Sequence, residues 1–164
     1  MRHSYGQSVC VRFDPSIHDT KDRVWDESED IWRANNQMAW LIRKGDNMKV
    51  GSILTQGIYI SVRESTLKSK GTYTFSIKLW YNGDQRPPRR KEDNVNALAA
   101  VDFDLESARI LALKKTRANP ADGSLWHDVT LSMRLELHST ELTFSAALGD
   151  EVVGITRTEY VQSF

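Results

Sequence analysis

Residues 72–82 read TYTFSIKLWYN, and the fold class turns on them. Tyr73, Phe75, Ile77, Leu79 and Tyr81 fall on one side, with Thr72, Thr74, Ser76 and Lys78 on the other. Successive side chains of an extended chain point to opposite faces, so this alternation marks a strand with one packed face and one wet face. Trp80 stands out among the polar residues. An indole there has three explanations: it packs under a loop, meets a partner subunit, or serves as a platform for a flat apolar ligand.

The same period recurs along the chain. Val9, Val11 and Phe13 share a face, as do Met38, Trp40 and Ile42, then Ile58, Ile60 and Val62. Ala97, Ala99, Val101, Phe103 and Leu105 follow, and RILALK (109–114) reads as one more short strand. LWHDVTLSMRLEL (125–137) carries the longest pattern, Leu142, Phe144, Ala146 and Leu148 form another, and a last strand is expected within 151–164. Turn signals such as NGD, NPADGS and LGDE separate these runs. Roughly eight or nine strands with short connections predict an all-β chain, an antiparallel β-sandwich of jelly-roll type, as a single domain over residues 1–164. A parallel sheet needs crossover helices, and the chain has almost no room for them. At most one short helix is expected, near residues 26–36, where Asp26 or Ser28 could cap a turn burying Ile31 and Trp32; an ordered loop is the alternative.

The chain has 164 residues and equal numbers of basic and acidic side chains, 22 each, so no global field favours nucleic acid or an anionic membrane. No apolar run reaches the roughly 20 residues that span a bilayer. The opening MRHSYGQSVCVRF lacks the apolar centre of a signal peptide, so the expected setting is the cytoplasm, or a domain cut from a longer protein. Cys10 is the single cysteine and has no internal disulfide partner; it is expected to pack in a strand.

Signals for catalysis are sparse. His3, His18, His127 and His138 are scattered, with no nucleophile motif and no HxH ligand pair. Asp102 and Asp104 share a strand face, which would suit calcium or acid–base work and equally a wet sheet face; no motif supports a structural calcium, and no cofactor is expected. The basic stretch of QRPPRRKEDN (85–94) could meet an anionic group through Arg89 and Arg90, or be a solvated connection. Trp126 also breaks the apolar face of its strand. The candidate ligand-binding residues are therefore Trp80, Lys78, Trp126 and Arg134, with Arg89 and Arg90 as secondary candidates.

The segments GSILTQGIYISV, KGTYTFSIKLWY, AAVDFDLESARILALKK and WHDVTLSMRLELHSTELTFSAAL, over about residues 51–148, resemble a family of carbohydrate-binding-module-like β-sandwich domains. Such domains are appended to bacterial glycosyltransferases and other polysaccharide-assembly proteins. The motif positions are Gly57, Tyr59 and Ile60; Gly71, Tyr73 and Phe75; Val101, Asp102 and Phe103; Ile110, Leu111 and Ala112; and Leu142, Thr143 and Phe144, with Ile58 standing where the family has proline. The resemblance implies non-catalytic glycan binding and transfers no ligand-contacting residue. The expected partners are thus a carbohydrate or a larger parent polypeptide. The rival expectation is a structural or protein–protein interaction sandwich, such as a viral or phage assembly domain, in which exposed aromatics anchor an oligomer.

Overall fold

A computed structural model describes residues 1–161. Ten strands run β1 Ser4–Arg12, β2 Arg23–Asp26, β3 Ile31–Ile42, β4 Ile53–Arg63, β5 Thr72–Asn82, β6 Asn96–Glu106, β7 Thr116–Ala118, β8 Leu125–Leu137, β9 Glu141–Leu148 and β10 Glu151–Glu159. Two short helices, α1 Glu64–Ser69 and α2 Ser107–Ala112, complete the regular structure with a 3-10 turn at Thr20–Asp22. The strands form two antiparallel sheets, in the orders β2-β3-β1-β5-β6 and β10-β9-β8-β4, with β7 paired to the start of β8. The expected all-β sandwich is what the chain forms. The last expected strand ends at Glu159, and residues 162–164 lie outside the described part.

The alternation at 72–82 does what it promises. Phe75, Ile77 and Leu79 are buried between the sheets beside Val101, Phe103 and Leu105 of β6, and the Phe75 and Phe103 rings stack with centroids 5.3 Å apart. From the other sheet, Val129, Leu131, Met133 and Leu135 of β8 and Leu142 and Phe144 of β9 complete the core. Polar partners meet on the outer face, where the Thr74 hydroxyl donates to Asp104 at 2.6 Å.

Two stretches take other forms than the pattern suggested. Residues 26–36 contain no helix: β2 and β3 make a hairpin with Trp25 opposite Trp32, and Trp32 stays partly exposed rather than buried. Asp30 and Asn36 adopt φ of 53° and 58°, a left-handed backbone that a helix interior does not contain. RILALK is not a strand either. Its first residues belong to α2, which buries Ile110, while Ser107 caps the link by donating to the Lys70 carbonyl at 2.6 Å. A short apolar run cannot be told from a buried helical turn by its period alone. Both helices sit where the chain crosses between sheets, from β4 to β5 and from β6 to β7.

The sandwich is closed on one side and open on the other. At the closed side β10 lies directly against β6: a Cβ on Gly154 would stand 2.5 Å from Val101 Cγ1. At the open side are the free edges, β4 bonded only to β8 and β2 only to β3 among the described residues. Between those edges runs a seam.

Candidate functional site

The seam holds a cleft of about 1120 Å³, walled by Gln7–Cys10 of β1, β2 and its turn on one side and by Gly57–Ser61 of β4 and Trp126 and Asp128–Thr130 of β8 on the other. Val9, Val24, Ile58, Ile60 and Val129 make it apolar within. Aromatic rings flank it. Trp126 is braced by the Arg63 guanidinium, 5.0 Å from its ring centroid, and donates from Nε1 to the Ser124 hydroxyl at 2.9 Å. Trp25, on the edge strand opposite, is 46 % exposed.

Polar groups of the cleft are tied down by two arginines. Arg33 donates from Nε to Asp26 at 2.5 Å and from Nη2 to Glu29 at 2.5 Å, and Asp26 also accepts from the Ser28 amide and hydroxyl. Burial pushes the Asp26 carboxyl up, but the hydrogen bonds from Ser28 and Arg33 outweigh it and hold the group below its ordinary value. Arg117 of β7 staples the hairpin turn to the second sheet: Nε donates to Asp128 at 3.0 and 3.2 Å, Nη2 to the Ser28 and Ser61 hydroxyls at 2.9 Å each, and Nη1 to the Ser28 carbonyl. Asn119 adds a bond from Nδ2 to the Glu27 carbonyl at 2.6 Å. One end of the seam is therefore fixed.

One group is not tied down. Gln7 is only 5 % exposed, and its side-chain carbonyl oxygen has no hydrogen-bond partner among the described residues. A buried acceptor left alone is costly, which is why nearly all such atoms in native proteins are paired. Cys10, expected to pack, instead lies exposed along the same wall; burial of its surroundings pushes the thiol up, partly offset by Arg33.

The sequence-derived candidates divide between the sheets. Lys78 and Trp80 occupy the outer face of β5, Lys78 exposed and Trp80 half-buried with the Lys91 ammonium 4.6 Å from its ring centroid. The 85–94 stretch is laid along β3 there. The Met38 amide donates to the Arg89 carbonyl and the Lys91 amide to the Asn36 carbonyl, each at 2.7 Å, and Trp40 Nε1 donates to the Pro88 carbonyl at 2.7 Å. Arg90 pairs with Asp22, whose side chain is 1 % exposed. Trp126 and Arg134 belong to β8; Trp126 reaches the cleft, while Arg134 lies further along, opposite Thr55 and Ser145. Gln7, Trp25, Trp32, Arg33 and Arg117 escaped sequence reasoning. For Gln7 a signal existed: stepping back by two from Val9 puts Gln7 and Tyr5 on the packed face of β1.

Among the described residues no group of three His, Cys, Asp or Glu side chains is arranged to hold a metal ion. His127 is buried, with Nδ1 3.3 Å from Thr116 Oγ1 and Nε2 3.4 Å from Glu64 Oε1, which ties α1 to β8. No helix is long and apolar enough to cross a membrane.

Fold and site together define a class, an antiparallel β-sandwich whose open seam carries a cleft of small-molecule size. More particularly, the chain belongs to a family of domains of unknown function, DUF8568, whose model matches residues 1–161. No curated protein and no solved structure matches it.

Proposed function

We propose that the chain is a non-catalytic carbohydrate-binding domain and that its site is the seam cleft. The observation that carries this reading is the Gln7 side-chain oxygen, buried without a partner in the wall of a cleft flanked by two tryptophans. A sugar has what such a place lacks. Its hydroxyls donate and accept, so they pair with an amide that can turn either its oxygen or its NH2 inward. Its C–H faces lie against indoles. The two best-placed carboxylates, Asp26 and Asp128, are each engaged by an arginine, and Asp26 is held low rather than raised towards the range of a general acid. The resemblance of residues 51–148 to carbohydrate-binding-module-like domains points the same way.

A glycan-array screen of the wild-type chain beside Gln7→Leu, Trp126→Ala and Trp80→Ala tests the reading, with near-UV circular dichroism confirming the fold of each. Binding that is lost in the first two and kept in Trp80→Ala supports the cleft. Binding lost in Trp80→Ala alone moves the site to the outer face of β5. A second reading, a sandwich for protein–protein interaction, rests on the bare edge of β4, eleven residues with no strand beyond them among the described residues and with Ile53 and Tyr59 exposed. No glycan binding together with a stable oligomer by light scattering would favour it.

A further inference from the structure

We infer that the ligand is a neutral, linear glycan long enough to run from the cleft past Trp25 and lie against Trp32. The inference rests on the glycan reading above and adds charge, shape and a second contact region.

Charge comes from how the cleft spends its ions. Asp26 and Glu29 are paired with Arg33, Glu27 with Arg63 and Asp128 with Arg117, so no carboxylate at the cleft lacks a cation. Lys115 alone brings a charge with no ion pair among the described residues, and it stands exposed at the rim. An acidic sugar would meet only Lys115 at the rim and would have to break an existing pair to reach a guanidinium within, whereas a neutral sugar needs only the uncommitted Gln7 amide. The balance of the site matches an uncharged ligand.

Length comes from the hairpin. Trp25 lines the cleft and also meets Trp32 edge-to-face, with ring centroids 5.0 Å apart. Trp32 is 44 % exposed and is held by Arg23, whose guanidinium lies 4.3 Å from its ring centroid and 5.8 Å from that of Phe13. Two partly exposed indoles kept rigid side by side at the edge of the sheet are unusual where nothing covers them. Trp25 belongs to both places, so it links the cleft to Trp32. A single sugar ring would use the cleft and leave Trp32 idle. A chain would use both.

The test is calorimetric titration of the full chain with cello-, manno-, xylo- and laminari-oligosaccharides from disaccharide to hexasaccharide, and with oligogalacturonides as the charged counterpart. Affinity is expected to rise about tenfold from the disaccharide to the hexasaccharide of the binding series, the gain from one added aromatic contact. Trp32→Ala should keep the disaccharide affinity and lose that gain, and Trp32→Phe should restore part of it. Oligogalacturonides should bind more weakly than the neutral series. Affinity independent of length, equal losses for short and long oligomers in Trp32→Ala, or preference for the uronic series would overturn the inference and leave the cleft reading intact. No binding by any series would overturn both.

Discussion

Replacing Gln7 by leucine should make the free protein more stable while removing its ligand binding. Leucine keeps nearly the volume of the glutamine side chain, but it takes away the one buried oxygen on this wall that has no partner. Burying an unpaired acceptor costs about 1–3 kcal/mol. Loss of the polar side-chain NH2 offsets part of the gain, so a net stabilisation of about 1–2 kcal/mol is expected. For a chain of this size each kcal/mol moves Tm by about 2–4 °C, giving a rise of roughly 2–8 °C. Urea unfolding followed by tryptophan fluorescence, with the slope m compared between variants, measures it directly. Equal or lower stability of Gln7→Leu at unchanged m would refute the reasoning, because the oxygen would then be satisfied in the native state. Gln7→Glu sharpens the contrast: a carboxylate placed there has its pKa raised by burial, so that variant should be less stable at neutral pH and should recover as pH falls.

Three further outcomes follow from the same structure. Arg117→Ala should lower stability by about 2 kcal/mol, mostly through lost hydrogen bonds to Ser28 and Ser61 rather than through the partly exposed pair with Asp128, and should speed amide exchange in residues 27–30. Asp22 is held below its ordinary value by the hydrogen bond from Arg90, helped by Asn36, and against burial. Its contribution is therefore fully present above the unfolded carboxyl value and lost as pH falls through the depressed folded value; Asp22→Asn should flatten the acid limb of a stability–pH curve and change the near-UV signal of Trp40 and Trp80 beneath the 85–94 stretch. Gly6→Ala should cost about 2–3 kcal/mol in urea unfolding, because its Cβ would stand 2.3 Å from the Ala39 carbonyl oxygen and force β1 and β3 apart.

The sheets were legible because period-two alternation is imposed by the core itself: Phe75, Ile77 and Leu79 must face Val101, Phe103 and Leu105 whatever the strand order. The order was not legible. Nothing in the residues of β1 states that it lies between β3 and β5, since backbone pairing is blind to sequence at that level. The β2–β3 hairpin misled because DESED looks like a helix start, while the turn depends on a left-handed Asp30, a conformation that only glycine advertises. The basic loop stood out through its arginines, yet its docking runs through the carbonyls of Pro88 and Arg89 and the amide of Lys91, which carry no side-chain signature. The cleft was hidden for a related reason. Its walls come from β1, β2, β4 and β8, far apart in the chain, and only the tertiary arrangement shows that Gln7, Trp25 and Trp126 share one space.

Cys10 allows the central claim to be tested in the unaltered protein. It is the sole cysteine, it is exposed, and it lines the cleft, so its rate of modification by an aromatic disulfide reagent reports whether the cleft is occupied. The rate would be measured with and without each neutral oligosaccharide series, at a pH where the thiolate is populated. A saturable slowing by one neutral series, with a midpoint equal to the calorimetric affinity and absent in Gln7→Leu, is the predicted result. A glycan that binds by calorimetry while Cys10 reacts at an unchanged rate would place the sugar elsewhere and contradict the account.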